Sequence, residues 1–148
     1  MSDLVSKSEQ PTFFIDRALG RKAVADALRK AGAKVEVHDD HFPVGALDIE
    51  WLPIVGERGW LILTKDDAIG RRLLEQMAVA TSGARVFVLA SGNLTGSAMA
   101  DIFVMALSRM ERFTQGNSQP FIAKVYQRGT VRMWQSRSQL LKLLKPGR

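Results

Sequence analysis

Two short stretches of nearly unbroken apolar residues, residues 60–64 and 85–90, constrain the fold of this chain more than any other feature. A strand with one face in water alternates apolar and polar side chains, whereas these stretches are apolar on both faces. Such strands belong to a parallel sheet that helices cover on both sides. The sequence therefore predicts a central sheet enclosed between two helical layers.

Strand and helix patterns alternate at short intervals along the rest of the chain, which is typical of right-handed β–α–β units. Strands are predicted at residues 12–15, 34–38, 60–64, 85–90 and 121–126, with a turn at 128–129 leading to residues 131–134. Helices are predicted at residues 19–31, 48–55, 67–80, 97–113 and 135–144. We predict one three-layer α/β/α domain over residues 12–148, with a mainly parallel sheet of four to five strands. Residues 1–11 are expected to be flexible, and residues 128–148 form a basic C-terminal segment.

The composition excludes several classes of protein. There is no cysteine, which rules out disulfides and thiolate zinc sites. The N-terminal residues are polar and lack the apolar core of a signal peptide. The longest apolar runs are too short to cross a bilayer. A cytoplasmic protein without a membrane segment is the expectation.

The net charge of +6 is unevenly distributed along the 148 residues. Residues 1–101 contain 12 basic and 14 acidic side chains, whereas residues 102–148 contain nine basic side chains and only Glu111 as an acid. A basic segment attracts polyanions, and the phosphates of nucleic acid are the obvious candidates. A solvated cationic surface that aids solubility is the alternative.

Acidic residues fall where an α/β sheet binds its ligands, at the carboxyl ends of strands. Asp16 directly follows the first predicted strand, and Asp66 lies two residues beyond the third. Asp48 begins the helix that precedes the third strand. Clustered carboxylates repel one another unless a hard cation neutralises them, and Mg²⁺ or Mn²⁺ suits an all-oxygen site. This pattern indicates metal-assisted hydrolysis of a phosphodiester. Any one of these aspartates taken singly is more typical of a turn or a helix cap than of a metal site.

These residues also resemble a known family. Phe13-Phe-Ile-Asp16 followed by a helix is similar to the opening strand and first acid of PIN-domain proteins. The stretch from Asp48 to Asp66 resembles the PIN pattern of an acid that opens a helix, a glycine turn, an apolar strand and a Thr-x-Asp ending. The resemblance is to compact PIN-like variants among the VapC-type toxins of toxin–antitoxin systems, and it covers residues 12–90 best.

The resemblance implies a ribonuclease that uses Mg²⁺ or Mn²⁺ to cut single-stranded RNA. By position, Asp16, Asp48 and Asp66 would be the catalytic, metal-binding acids, and Thr64 would orient the last of them. It also implies silencing by an antitoxin protein, and self-association as a homodimer.

Many members of the family carry a further Glu in a helical hairpin between the first two strands, and this chain has no room for that hairpin. Asp40, which follows the second strand, is the first candidate for a replacement metal ligand. Asp39 and Glu50 are the alternatives.

Other residues near the predicted pocket are candidates for supporting roles at the site. Asp67 is either an auxiliary ligand or a helix cap, and Asn93 is placed to bond a phosphate or a water. RNA contacts are predicted at Lys65, Arg128, Arg132 and Trp134. A non-catalytic RNA-binding or scaffold protein on the same fold is the alternative function, because the hairpin acid is missing.

Overall fold

The computed structural model describes residues 10–146, so the predicted flexible N-terminus lies almost wholly outside the described residues. Six strands form one sheet: β1 Thr12–Ile15, β2 Lys34–Val37, β3 Leu61–Thr64, β4 Arg85–Leu89, β5 Phe121–Val125 and β6 Val131–Gln135. Six α-helices surround it: α1 Ala23–Lys30, α2 Asp48–Glu57, α3 Ala68–Arg71, α4 Leu73–Ser82, α5 Gly96–Gly116 and α6 Arg137–Lys142. Single 3₁₀ turns follow β1 at Arg17–Leu19 and β2 at His38–Asp40.

The strand order is β2-β1-β3-β4-β5-β6. The first five strands pair in parallel, and β6 pairs antiparallel with β5. The mainly parallel sheet is therefore confirmed, with six strands where four to five were predicted. The additional strand follows a tight turn in which the Gly129 N–H donates to the Tyr126 carbonyl at 2.7 Å. Its side chains are mostly half-buried or exposed, as expected of an edge strand, so its apolar signal is weak.

Alternate residues of the strands face two separate cores, which explains why the central strands are apolar on both sides. One core lies under α1 and α5 and contains Phe13, Leu63 and Phe87. The other lies under α2, α4 and α6 and contains Phe14 and Ile62. The side chains of Asp16 and Thr64 continue the second series at the strand ends. The three-layer arrangement is thus fixed by the two-sided burial of β3 and β4.

The predicted helix over residues 67–80 is broken into α3 and α4 at Arg72, whose backbone is extended (φ −92°, ψ 135°). The Gln76 side chain donates to the Gly70 carbonyl at 2.6 Å, and so satisfies an acceptor that a continuous helix would bond internally. The break leaves Leu73 and Leu74 57% and 64% exposed, whereas Ile69 in α3 is fully buried.

The chain changes direction across the sheet between β1 and β3. The connection through α1 runs from β1 outward to β2, and the connection through α2 returns past β1 to β3. In open α/β sheets such a switch point opens a crevice at the carboxyl ends of the two strands. Asp16 and Thr64 lie at this point. None of the helices among residues 10–146 combines the length and apolarity needed to cross a membrane.

Candidate active site

Asp16 is held rigidly at the end of β1. Its backbone N–H donates to the Leu63 carbonyl at 2.9 Å, which extends the pairing of β1 with β3 by one residue. Its carboxylate accepts a 2.6 Å hydrogen bond from the Thr64 hydroxyl, and both side chains are buried. Burial raises the pKa of Asp16, while the hydrogen bond from Thr64 opposes that rise. The result is a buried carboxylate whose orientation is fixed by the neighbouring strand.

Asp66 is fixed by the same threonine. Its backbone N–H donates to Thr64 Oγ1 at 3.0 Å, and its Oδ1 accepts from the Ala68 N–H at 3.0 Å. The carboxylate therefore caps the start of α3 while it remains half-buried beside Asp16. Its charge contributes to the raised pKa of Asp16. The structure thus brings together the two acids that were predicted to converge.

Asp48 lies at the first position of α2, facing the other two acids. Burial and the charges of Asp16, Asp66 and Glu75 raise its pKa to about 6, and a hydrogen bond from the Trp51 indole opposes this rise. The mutual effect of these charges shows that the three predicted acids occupy one electrostatic neighbourhood. Near neutral pH most Asp48 carboxyls are ionised, at a cost that a nearby cation would reduce.

Glu75 is a fourth acid that the sequence analysis did not single out. It lies in the first turn of α4, and its side chain is only 14% exposed. It lines a cleft of about 270 Å³ together with Asp48 and Arg72, and its charge raises the pKa of Asp48. Glu75 was missed because one helix was predicted to run unbroken from residue 67 to residue 80. That prediction gave no reason to expect a new helix to begin at residue 73.

The three acids proposed as replacements for the missing glutamate have other surroundings. Asp39 pairs with Arg17 at 3.3 Å and with His38 at 3.0 Å, and these contacts hold its pKa below the usual value. The Glu50 carboxylate accepts from the Leu47 N–H at 2.7 Å and so caps α2. Asp40 is exposed and forms no ion pair within residues 10–146. Glu75 is therefore better placed beside Asp48 than any of them.

His38 is buried and contacts Asp39, one of these acids. It is 2% exposed, its Nδ1 lies 3.0 Å from Asp39 Oδ1, and its ring packs against Phe14 and Trp51. His41, by contrast, pairs with Glu36 at 2.7 Å on the surface. The two histidines thus contact different carboxylates.

The donor chemistry of the site fits a hard divalent cation, because all the groups are carboxylates whose charges disfavour one another. Within residues 10–146, however, no three Asp, Glu or His side chains approach closely enough to enclose a metal ion. Mg²⁺ is commonly held by one or two carboxylates and completes its coordination with water and substrate phosphate. An open set of acids matches that mode of binding.

The predicted supporting residues Asp67 and Asn93 lie after β3 and after β4, respectively. Asp67 does not cap α3 through its side chain, because that role belongs to Asp66; it pairs with Arg71 at 3.0 Å instead. Asn93 is exposed in the loop after β4. Thr95 caps α5, since its hydroxyl accepts from the Ala98 N–H at 3.0 Å.

Among the residues predicted to contact RNA, Lys65, Arg128 and Arg132 are exposed. Trp134 is half-buried, with its ring against the backbone of Gly70 and the Lys124 ammonium 4.1 Å from its centroid. One face of this ring is therefore already covered by a cation.

A larger cleft, of about 590 Å³, lies at the opposite edge of the sheet beside Trp60 and Arg85. Glu111 is the single acid among its described lining residues. The Arg85 guanidinium donates to the Gly59 carbonyl at 2.6 Å there. This cleft is larger than the one beside Asp48 and Glu75, but the acids gather at the carboxyl ends of the strands.

The domain model that describes a PIN-like domain matches residues 11–91, slightly over half of the chain. The protein belongs to the PIN-like domain family. The matched region of this PIN-like protein includes Asp16, Asp48, Thr64, Asp66 and Glu75. A protein of Mycobacterium tuberculosis (strain ATCC 25618 / H37Rv), named "Putative ribonuclease VapC45", is 28% identical over 124 residues, which cover 81% of this chain and 89% of that protein. No solved structure gives a significant match. The resemblance seen in the sequence is thereby confirmed at the level of the family.

Proposed function

We propose that this PIN-like protein is an endoribonuclease that hydrolyses phosphodiester bonds of RNA with Mg²⁺ or Mn²⁺ as cofactor. The observation that carries the proposal is the placement of Asp16 and Asp66 on either side of Thr64 at the switch point of the sheet. The similarity to a protein with a ribonuclease name supports the same activity.

The side chains would have different roles in such a site. Asp16, Asp48 and Asp66 supply oxygen ligands, and Thr64 keeps two of them in a fixed relative orientation. Glu75 adds a fourth negative charge next to Asp48. With a divalent cation bound, these acids would hold an ion that could activate water for attack and neutralise charge on the phosphate. Because all four acids are buried or half-buried, water screens their charges less than it would on an exposed surface.

The proposal is tested with purified protein and a single-stranded RNA oligonucleotide. We expect cleavage in Mn²⁺ or Mg²⁺, none in EDTA, and a loss of at least 100-fold in Asp16→Asn, whose amide preserves the side-chain shape but not the charge (about 3 kcal/mol or more at the transition state). Equal cleavage by Asp16→Asn and wild type would refute the assignment, as would full activity in EDTA. Asp26→Asn, an exposed position on α1, is the matched control and is expected to cleave normally.

A toxin role, with an antitoxin as partner, extends this proposal. Leu47, Ile49 and Leu74 are exposed around the acidic cleft and offer an apolar rim to a protein that covers it. A cationic side chain of that protein would complement Asp48 and Glu75. Expression of this chain alone is expected to arrest growth, and co-expression of a small protein from the neighbouring reading frame to restore it. Normal growth with soluble, RNA-cleaving protein would contradict the toxin role alone.

A non-catalytic RNA-binding protein is the second candidate. It is favoured by the absence, within residues 10–146, of three acids close enough to enclose an ion. It predicts salt-sensitive binding of RNA without turnover in any divalent metal.

A further inference from the structure

Beside the acids that follow β1 and β3, Asp16 and Asp66, we infer that Lys65 and Lys124 form a binding site for a phosphodiester of the RNA strand, one or more nucleotides away from the bond that is cut. The identity of the ligand as RNA rests on the proposed function. The site itself follows from the position, charge and support of the two lysines.

The two lysines line one cleft of about 320 Å³ at the carboxyl ends of β3, β4 and β5. Ser91, in the loop after β4, lines the same cleft and supplies a hydroxyl that can donate to a phosphate oxygen. Lys65 and Asp67, which flank Asp66 in sequence, both line this cleft, so it begins beside the acid that follows β3. A strand bound through one phosphate at the acids would present a neighbouring phosphate here.

Neither lysine is neutralised by the protein. Within residues 10–146 no carboxylate lies within ion-pair distance of Lys65 or Lys124. Asp67 also borders the cleft, but its carboxylate is engaged with Arg71 at 3.0 Å. Two uncompensated ammonium groups facing one cavity repel each other unless an anion lies between them, which is the condition that a phosphate meets.

Lys124 is also held in place before any ligand arrives. It lies inside β5 with paired strands on both sides, and its ammonium lies 4.1 Å from the centroid of the Trp134 ring. A cation over an aromatic face is attracted by the ring, which limits the freedom of an otherwise flexible side chain. Trp134 is itself seated against Gly70. A preorganised cation loses less conformational entropy on binding a phosphate.

The cationic surface continues beyond this cleft. Arg132 is the partner of Lys124 in the β5–β6 pair, and a second cleft of about 630 Å³ next to it is lined by Tyr126, Arg128 and Arg132. Ala90 borders both clefts, so they adjoin. The basic C-terminal third thus reaches the cleft through Lys124, and Lys65 joins it from the segment that carries Asp66. We infer that this pair is the first contact for a strand that leaves the acids.

The test measures the salt dependence of RNA binding. A short, labelled single-stranded RNA is titrated with protein in EDTA, where no cleavage is expected, at several NaCl concentrations. For single strands, each lost phosphate contact reduces the slope of log Kd against log salt by about 0.7. We expect this reduction in Lys65→Gln and in Lys124→Gln, about twice as much in the double variant, and none in Lys30→Gln, at the exposed end of α1. A double variant with the slope of wild type would overturn the inference.

Two further measurements separate the possible causes of a change. Lys124→Arg keeps a cation over Trp134 and is expected to retain the wild-type slope, whereas a loss of slope equal to that of Lys124→Gln would show that the variants merely disturb β5 and would overturn the site. Cleavage in Mn²⁺ is assayed separately on the wild type. A reduced slope in a protein that cleaves no RNA would leave the phosphate site standing and refute the nuclease, and an unchanged slope in an active nuclease would refute the phosphate site alone.

Discussion

The Thr64 hydroxyl donates a 2.6 Å hydrogen bond to the Asp16 carboxylate across the boundary between β3 and β1. The same oxygen accepts from the Asp66 N–H at 3.0 Å, so one buried side chain sets the distance between two acids that are 50 residues apart in sequence. A substitution of Thr64 therefore disturbs the orientation of both acids without removing a negative charge.

We expect Thr64→Val to lower the free energy of unfolding by about 1–3 kcal/mol, because the buried Asp16 carboxylate and the partly buried Asp66 N–H lose a partner while the volume is preserved. RNA cleavage should fall roughly 10–100-fold, as for groups that orient metal ligands. Urea denaturation and initial rates measure the two effects. Thr64→Ser keeps the hydroxyl and serves as the control. If Thr64→Ser loses as much activity as Thr64→Val, the methyl group and not the hydrogen bond is the important feature.

Asp48 predicts a specific dependence of stability on pH. Its pKa is about 6 in the folded protein against an ordinary value of 3.8, so between these values the folded state holds a proton that the unfolded state releases. Without metal, the contribution of this group to stability is therefore highest below about pH 4, falls as pH rises to about 6, and is constant above. Thermal melts in EDTA should show this fall in wild type and a shallower one in Asp48→Asn. Parallel curves for the two proteins would show that another group carries the effect.

The sequence alone was sufficient for the elements whose signals are local. The two-sided apolar strands β3 and β4 required a covered parallel sheet, and acids placed directly after strands had to meet at one edge. This reasoning found Asp16 and Asp66, and the structure places both against Thr64. Their role as metal ligands stays a prediction.

What the sequence could not reveal depended on contacts between distant segments. The break at Arg72 is supported by the Gln76 and Gln135 side chains, which both donate to the Gly70 carbonyl, at 2.6 Å and 3.3 Å. A periodicity that suits a continuous helix gives no sign of this. The same break creates the helix start at which Glu75 approaches Asp48, and so the fourth acid was missed together with the break.

Substitutions of Glu75 and Asp40 are expected to affect metal binding differently. Removal of the Glu75 charge should weaken Mn²⁺ binding roughly 10-fold, because that charge lies close to Asp48, as its effect on the Asp48 pKa indicates. Asp40→Asn removes an exposed charge and should leave the affinity nearly unchanged. Calorimetric titration of Glu75→Gln and Asp40→Asn with Mn²⁺ compares the two directly. A weakened Asp40→Asn beside an unaffected Glu75→Gln would reverse the assignment of the fourth acid.

A substitution of Gly70 tests the contact between the β5–β6 hairpin, which carries Trp134, and the segment that follows Asp66. A side chain at this position would overlap the ring of Trp134, and α3 is buried on the side that meets it. Gly70→Ala should therefore lower the free energy of unfolding by about 1–3 kcal/mol and displace the indole, with a change in tryptophan fluorescence. Gly45→Ala, where nothing lies within 4 Å of the added carbon, should change stability by no more than about 0.5 kcal/mol. In a double-mutant cycle with Trp134→Leu the penalty of Gly70→Ala should shrink, because the smaller side chain leaves room for the added methyl group. Strict additivity of the two changes would mean that the cost at Gly70 comes from the backbone of α3 and not from Trp134.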